Sequence, residues 1–150
     1  MEAGGDQSAF WNQAARTRQF THPLDHARFT RAVPLSAVLL FAVLTCVPSD
    51  EAQKNLLREF KRILRPGGLL LISDYPLQTD ARNLERYGKF AHEPGGYGTF
   101  RLEGGAVVRH QRREWFTELL ADFQVLQAVE PDVLTMNGNP ARILQWWAIK

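Results

Sequence analysis

The sequence predicts an α/β fold built on a parallel β-α-β crossover, and three observations carry that expectation. Val38 to Thr45 is an almost wholly apolar run, as in a strand covered on both faces. Ala52, Leu56, Leu57, Phe60, Ile63 and Leu64 then recur as one helical stripe, opposite a charged face of Glu51, Lys54, Glu59, Lys61 and Arg62. Pro66-Gly67-Gly68 halts that helix, and Leu69 to Ser73 is a second apolar run ending at Asp74. Strand, helix and strand in this order make a right-handed crossover.

The helix has local start and stop signals. Pro48 turns the chain, and Asp50 with Gln53 three residues on resembles a capping box. Lys61, Arg62 and Arg65 lie at its C-terminal end, where cations suit the helix dipole.

Composition narrows the classes. At 150 residues the chain is long enough for a single domain with a real core, and its 45% apolar and 23% charged shares are ordinary for a globular protein. A net charge of +2, with no basic run longer than Arg112-Arg113, argues against nucleic acid as a partner. Cys46 stands alone, which leaves no disulfide framework and no cysteine metal cluster, so no metal is expected. Val33 to Val47, interrupted by Pro34 and Ser36, falls short of the roughly 20 residues that span a bilayer. Met1 to Ser8 is polar rather than a basic-then-apolar leader. These features predict a cytoplasmic protein with no membrane partner.

Before the crossover, Phe10, Trp11, Ala14 and Ala15 give Ala9 to Gln19 the pattern of a short amphipathic helix. Pro23 disfavours helix at His22, and Leu24 to Ala32 can form a second helix. After Asp74, Arg82 to Phe90 reads as a helix with Leu84, Tyr87 and Phe90 as its apolar residues. Gly98 to Leu102 and Ala106 to His110 read as a hairpin around Glu103-Gly104-Gly105. Arg112 to Phe123 is amphipathic, with Trp115, Phe116, Leu119, Leu120 and Phe123 facing inward. Gln124 to Val129 and Arg142 to Ile149 are the final strands, an antiparallel pair connected through Asn137-Gly138-Asn139-Pro140. Alternation places Trp146 and Trp147 on opposite sheet faces.

The stretch from Asn55, N-L-L-R-E-F-K-R-I-L-R-P-G-G-L-L, resembles the segment around the fourth and fifth strands of class I S-adenosylmethionine-dependent methyltransferases. The leading F-W-N-Q-A-A…F-T-H-P-L-D from Phe10 and the closing H-Q-R-R-E-W-F…F…M-N-G-N-P-A-R…Q from His110 are also similar to that family. The resemblance covers Phe10 to Pro34 weakly and Val38 to Lys150 well. It implies an incomplete Rossmann-like methyltransferase fold: a surviving β-α-β crossover, a hairpin insertion, and a C-terminal helix with an antiparallel strand pair. The expected organisation is a single domain with an N-terminal helical segment over residues 1–34 and a crossover core over 38–75. A substrate-side insertion over 76–110 and a C-terminal helix and hairpin over 111–150 complete it.

One family feature is missing. The first strand and a G-x-G-type loop should follow the N-terminal helices, bringing backbone close to the cofactor, with an acid at the end of the second strand for the ribose. Here no glycine occurs between Gly5 and Gly67, and no acid between Asp25 and Asp50. Strands one to three, roughly 60 to 90 residues at ~30 per unit, are expected to be absent, with a seam near Leu35 to Val38. Gly95-Gly96-Tyr97-Gly98 precedes a strand, and Gly4-Gly5 follows none, so neither replaces the loop.

The resemblance implies S-adenosylmethionine as cofactor, a small-molecule acceptor, and catalysis mainly by positioning and exclusion of water. It places Thr45 and Cys46 beyond the carboxyl end of the first surviving strand, near the transferred methyl, with Trp11 and Phe20 over the cofactor cleft. Tyr97, Arg109 and His110 become the substrate-contact candidates. A surface histidine is the plainer reading of His110; as a general base it lacks an orienting partner in the sequence. Cys46 has no histidine or C-x-x-C companion and is not expected to be a nucleophile. The alternative to an enzyme is a non-catalytic methyltransferase-like module that pairs, as a homodimer, through the sheet edge left bare by the missing strands.

Overall fold

The structure, a computed structural model, describes residues 34–92 and 95–150. Residues 34–150 form one compact unit. The two N-terminal helices expected over 9–32, with Trp11 and Phe20, lie outside the described residues.

The crossover is present. Strand β1 (Leu35–Phe41) is joined through a 3-10 turn (Leu44–Cys46) and helix α1 (Asp50–Ile63) to strand β2 (Leu64–Asp74), and β1 and β2 pair in parallel. Helix α2 (Ala81–Lys89) and the hairpin β3 (Thr99–Arg101) and β4 (Val107–Arg109) follow, then helix α3 (Arg113–Leu119). Strands β5 (Gln124–Val129), β6 (Asp132–Leu134), β7 (Pro140–Arg142) and β8 (Leu144–Ile149) complete the order. The main sheet runs β1-β2-β8-β5, with β8 antiparallel to both neighbours, while β3-β4 and β6-β7 are separate two-stranded ribbons.

Several local expectations shift. The first strand starts at Leu35 rather than Val38 and ends at Phe41, because Ala42 takes a positive φ of 52° and the chain turns there. Ser49, not Asp50, caps α1, its Oγ accepting from Ala52 N–H; Gln53 makes no capping box but turns its side chain into the interior. In the buried stripe Gln53 takes the place expected of Ala52, which is exposed. Pro66 disfavours helix at Arg65, so the chain is already extended at Leu64, and Pro66-Gly67-Gly68 becomes an irregularity inside β2 rather than a turn ahead of it. A Cβ on Gly68 would lie 2.8 Å from the Arg65 carbonyl oxygen, so only glycine fits that kink.

The core lies on one face of the sheet. Leu40, Leu70, Ile72, Leu144 and Ala148 meet Leu57 of α1 and Trp115, Phe116 and Leu119 of α3, with Leu120 and Phe123 beyond that helix. Helix α3 is shorter than expected, because the chain breaks into turns after Leu119 while keeping Phe123 buried.

The opposite face corrects the expectation of a doubly covered strand. Leu35, Leu39 and Phe41 project there, and Leu39 and Phe41 are 57% and 61% exposed while Leu40 is 2% exposed. Leu39 aligns across the sheet with Leu71 and Trp147, and Leu40 with Ile72 and Trp146. The two indoles are thus on opposite faces, Trp146 packed against the core and Trp147 partly open.

A second cluster of Tyr87, Phe100 and Val108, with Leu77 and Phe90 against it, ties α2 to the hairpin. Leu84, expected among the apolar contacts of α2, is 46% exposed, and Asn83 is buried in its stead.

Candidate functional site

The carboxyl ends of β1 and β2 meet at Asp74. Its carboxylate accepts from Leu44 N–H at 2.7 Å, Thr45 N–H at 3.2 Å and Tyr75 N–H at 2.8 Å, which shapes the 3-10 turn. Burial pushes its pKa up to about 6 against the pull of those three donors. Thr45 is buried and its hydroxyl donates to the Arg109 carbonyl, fastening the turn to β4. Cys46 is exposed but its thiol is raised by burial of the sulfur and by Asp74, the reverse of what a reactive thiolate needs.

Beside this junction a cavity of about 270 Å³ opens between the turn, α2, the hairpin and the β6–β7 connection. Thr45, Cys46 and His110 line it together. Tyr97 and Arg109 do not. Tyr97 stands outside, 53% exposed, edge-on to Tyr87. Arg109 turns the other way: its guanidinium donates to the Pro48 carbonyl at 3.0 Å and pairs with Asp50 at 2.5 Å, closing the loop before α1 onto β4.

His110 is not a surface histidine. It is 9% exposed, stacks on Tyr75 and meets Tyr87 and Phe100 edge-on. The orienting partner missing from the sequence is Tyr87, whose Oη lies 2.6 Å from His110 Nδ1. That hydroxyl also accepts from Gln78 N–H at 3.1 Å; we assign its own proton to Nδ1, which puts the imidazole proton on Nε2. Burial, then the Arg86 and Arg82 guanidiniums, push the imidazole pKa down to about 3. A neutral ring with Nδ1 occupied is a hydrogen-bond donor at Nε2, which replaces the general-base role.

Three residues that sequence reasoning missed come from α2. Arg82, Asn83 and Arg86 all line the cavity. Asp80 caps the helix, accepting from Asn83 N–H and from its side-chain amide, which leaves Asn83 Oδ1 buried without a partner. Arg86 lies over the Phe100 ring, 4.2 Å from its centroid. The available signal was the polar spacing i, i+1, i+4 on a short helix next to the hairpin.

The strand order and the cavity beyond the strand ends can be compared with known structures. No protein-family model and no curated protein sequence matches the chain at a significant level. Among solved structures, a methyltransferase from Methanosarcina mazei described as S-adenosylmethionine-dependent superposes with a TM-score of 0.70 at 21% identity, over 78% of this chain and 59% of its own. The chain carries the S-adenosylmethionine-dependent methyltransferase fold. Burkholderia thailandensis 1,6-didemethyltoxoflavin-N1-methyltransferase, with bound 1,6-didemethyltoxoflavin and S-adenosylhomocysteine, matches at TM-score 0.51 and 17% identity, over 81% of this chain and 48% of its own. A methyltransferase from Anabaena variabilis matches at TM-score 0.51 and 14% identity, over 82% and 51%. The chain spans about half to three-fifths of the length of these methyltransferases.

The described residues do not fit the donor of that fold. β1 is an edge strand, and no described glycine lies between either parallel strand and the helix that follows it. A Cβ on Gly98 would lie 2.2 Å from the His110 carbonyl oxygen, and one on Gly95 2.7 Å from Thr99 Oγ1; these glycines allow tight packing within the hairpin region. Among the described residues no group of His, Cys, Asp and Glu could hold a metal ion, and no helix is long and apolar enough to cross a membrane.

Proposed function

We propose that this chain serves S-adenosylmethionine-dependent methyl transfer to a small molecule, and that residues 34–150 supply the acceptor half of the site. The observation that carries this is the cavity itself. It lies beyond the carboxyl ends of two parallel strands, where open α/β sheets bind ligands, and it combines apolar walls with oriented polar groups. The donor half is another matter: no described glycine lies between a parallel strand and its following helix, and Asp74, the acid at a strand end, already accepts from three backbone N–H groups. Calorimetric titration of the 150-residue chain with S-adenosylmethionine tests the division. No heat is expected up to millimolar donor from folded, monodisperse protein. Micromolar binding near one-to-one would show that a donor site is completed, and the half-site reading would fall.

β1 favours a second reading, a non-catalytic module that self-associates. Its outer side has no partner strand among the described residues, and Leu35 to Phe41 contains no charge and no proline to discourage pairing. Two copies could join β1 to β1 antiparallel about a two-fold axis and extend the sheet. Sedimentation equilibrium decides: this reading expects a dimer that Leu39→Lys disperses, and a wild-type monomer at 100 µM removes it.

A further inference from the structure

Resting on the acceptor-half reading, we propose that the cavity recognises a hydroxy- or amino-substituted aromatic carboxylate, its acid group held between the Arg86 guanidinium and His110 Nε2–H.

The cation is available. Arg86 makes no ion pair within 4 Å among the described residues; its guanidinium rests on the Phe100 face. A planar, weakly hydrated guanidinium supported by a ring is suited to a carboxylate, whose two oxygens match its fork. His110 packs on the same Phe100, centroids 5.0 Å apart, and both residues line the one cavity. With Tyr87 assigned as the donor to Nδ1, Nε2–H is the second donor. Two donors lining one cavity suit an acceptor with two oxygens, which a carboxylate provides.

The rest of the molecule follows from the remaining groups. Asn83 is 1% exposed, lines the cavity and keeps Oδ1 without a partner, a buried acceptor whose lost hydration is uncompensated until a donor arrives. An O–H or N–H on the ligand supplies it, and such a group is also what a methyl-accepting nucleophile carries. Leu102 and Val108 with Tyr75 give the apolar walls that a ring needs, and about 270 Å³ accommodates one substituted ring with space to spare.

Ligand-observed NMR titrations of the full chain with 4-hydroxybenzoate and 3-aminobenzoate, against 4-hydroxybenzamide and 3-aminobenzamide, test this directly. At least one acid should bind ten-fold or more tighter than its amide. Arg86→Met should erase that preference, and Arg86→Lys should restore part of it, with melting temperatures unchanged. Equal affinity for acid and amide, no binding of either acid, or full acid preference in Arg86→Met would each overturn the proposal. The wild-type comparison stands even if a variant fails to fold. No donor is present, so the calorimetric result on S-adenosylmethionine and this one can fail separately.

Discussion

Truncating Gln53 to alanine is expected to lower the unfolding free energy by about 3–4 kcal/mol, the largest effect of any single polar change in the described residues. The side chain is completely buried and ties three segments together. Its Nε2 donates to the Leu44 and Val47 carbonyls at 2.9 and 2.7 Å, which holds the 3-10 turn against α1. Its Oε1 accepts from the Trp115 indole at 2.6 Å, with Gln111 Nε2 at 3.5 Å, which fixes α3 to the same point. Alanine leaves a cavity, an indole N–H and two carbonyls unpartnered. Gln53→Leu fills the volume but not the hydrogen bonds, and should still cost about 2 kcal/mol. Urea unfolding at neutral pH measures both, and a loss below 1 kcal/mol for the alanine variant would mean that the turn and α3 are held by packing alone.

Asp74→Ala removes the acceptor of three N–H groups and is expected to cost about 2 kcal/mol near pH 7. The cost should grow in acid. The folded pKa, about 6, lies above the ordinary value of 3.8, so the native state holds this proton longer than the unfolded chain does. Stability from this group is therefore fully present below the unfolded pKa and declines as pH rises through the folded one. Between pH 4 and pH 7 that decline amounts to about 2 kcal/mol in the wild type and vanishes in the variant. Unfolding curves at the two pH values should show the larger penalty at pH 4. Equal penalties would place the Asp74 pKa at its ordinary value.

These residues show where sequence reasoning stops. The crossover helix was legible because its stripe, its terminal cations and Pro66 all act locally; so were the hairpin around Gly104-Gly105 and the inward face of Trp115, Phe116 and Leu119. The exposed face of β1 was not, since an apolar run reads the same whether its neighbours are present or absent. Gln53 looked like a capping residue because its tertiary partners lie nine and sixty-two positions away in the chain. In the candidate site, the family resemblance together with the strand end pointed to Thr45, Cys46 and His110, and these three line the cavity. Arg86 and Asn83 were missed because a short helix with polar residues reads as a wet surface until the hairpin folds over it. The pairing of Arg109 was hidden for a related reason: an arginine at a strand end is chemically suited to a substrate, and nothing local reveals its bond to Asp50.

The position of β8 also constrains how the sheet is assembled in time. It is the last of the described strands in sequence, yet it sits between β2 and β5, and Lys150 beyond it exchanges backbone hydrogen bonds with Gly67 and Gly68. While the ribosome is still making β5 to β7, β2 and β5 each offer an unpaired edge with apolar residues and nothing between them. Vectorial synthesis therefore builds this sheet in two stages: β1 and β2 can pair as soon as α1 has formed, whereas β5 gains a place only once β8 has emerged.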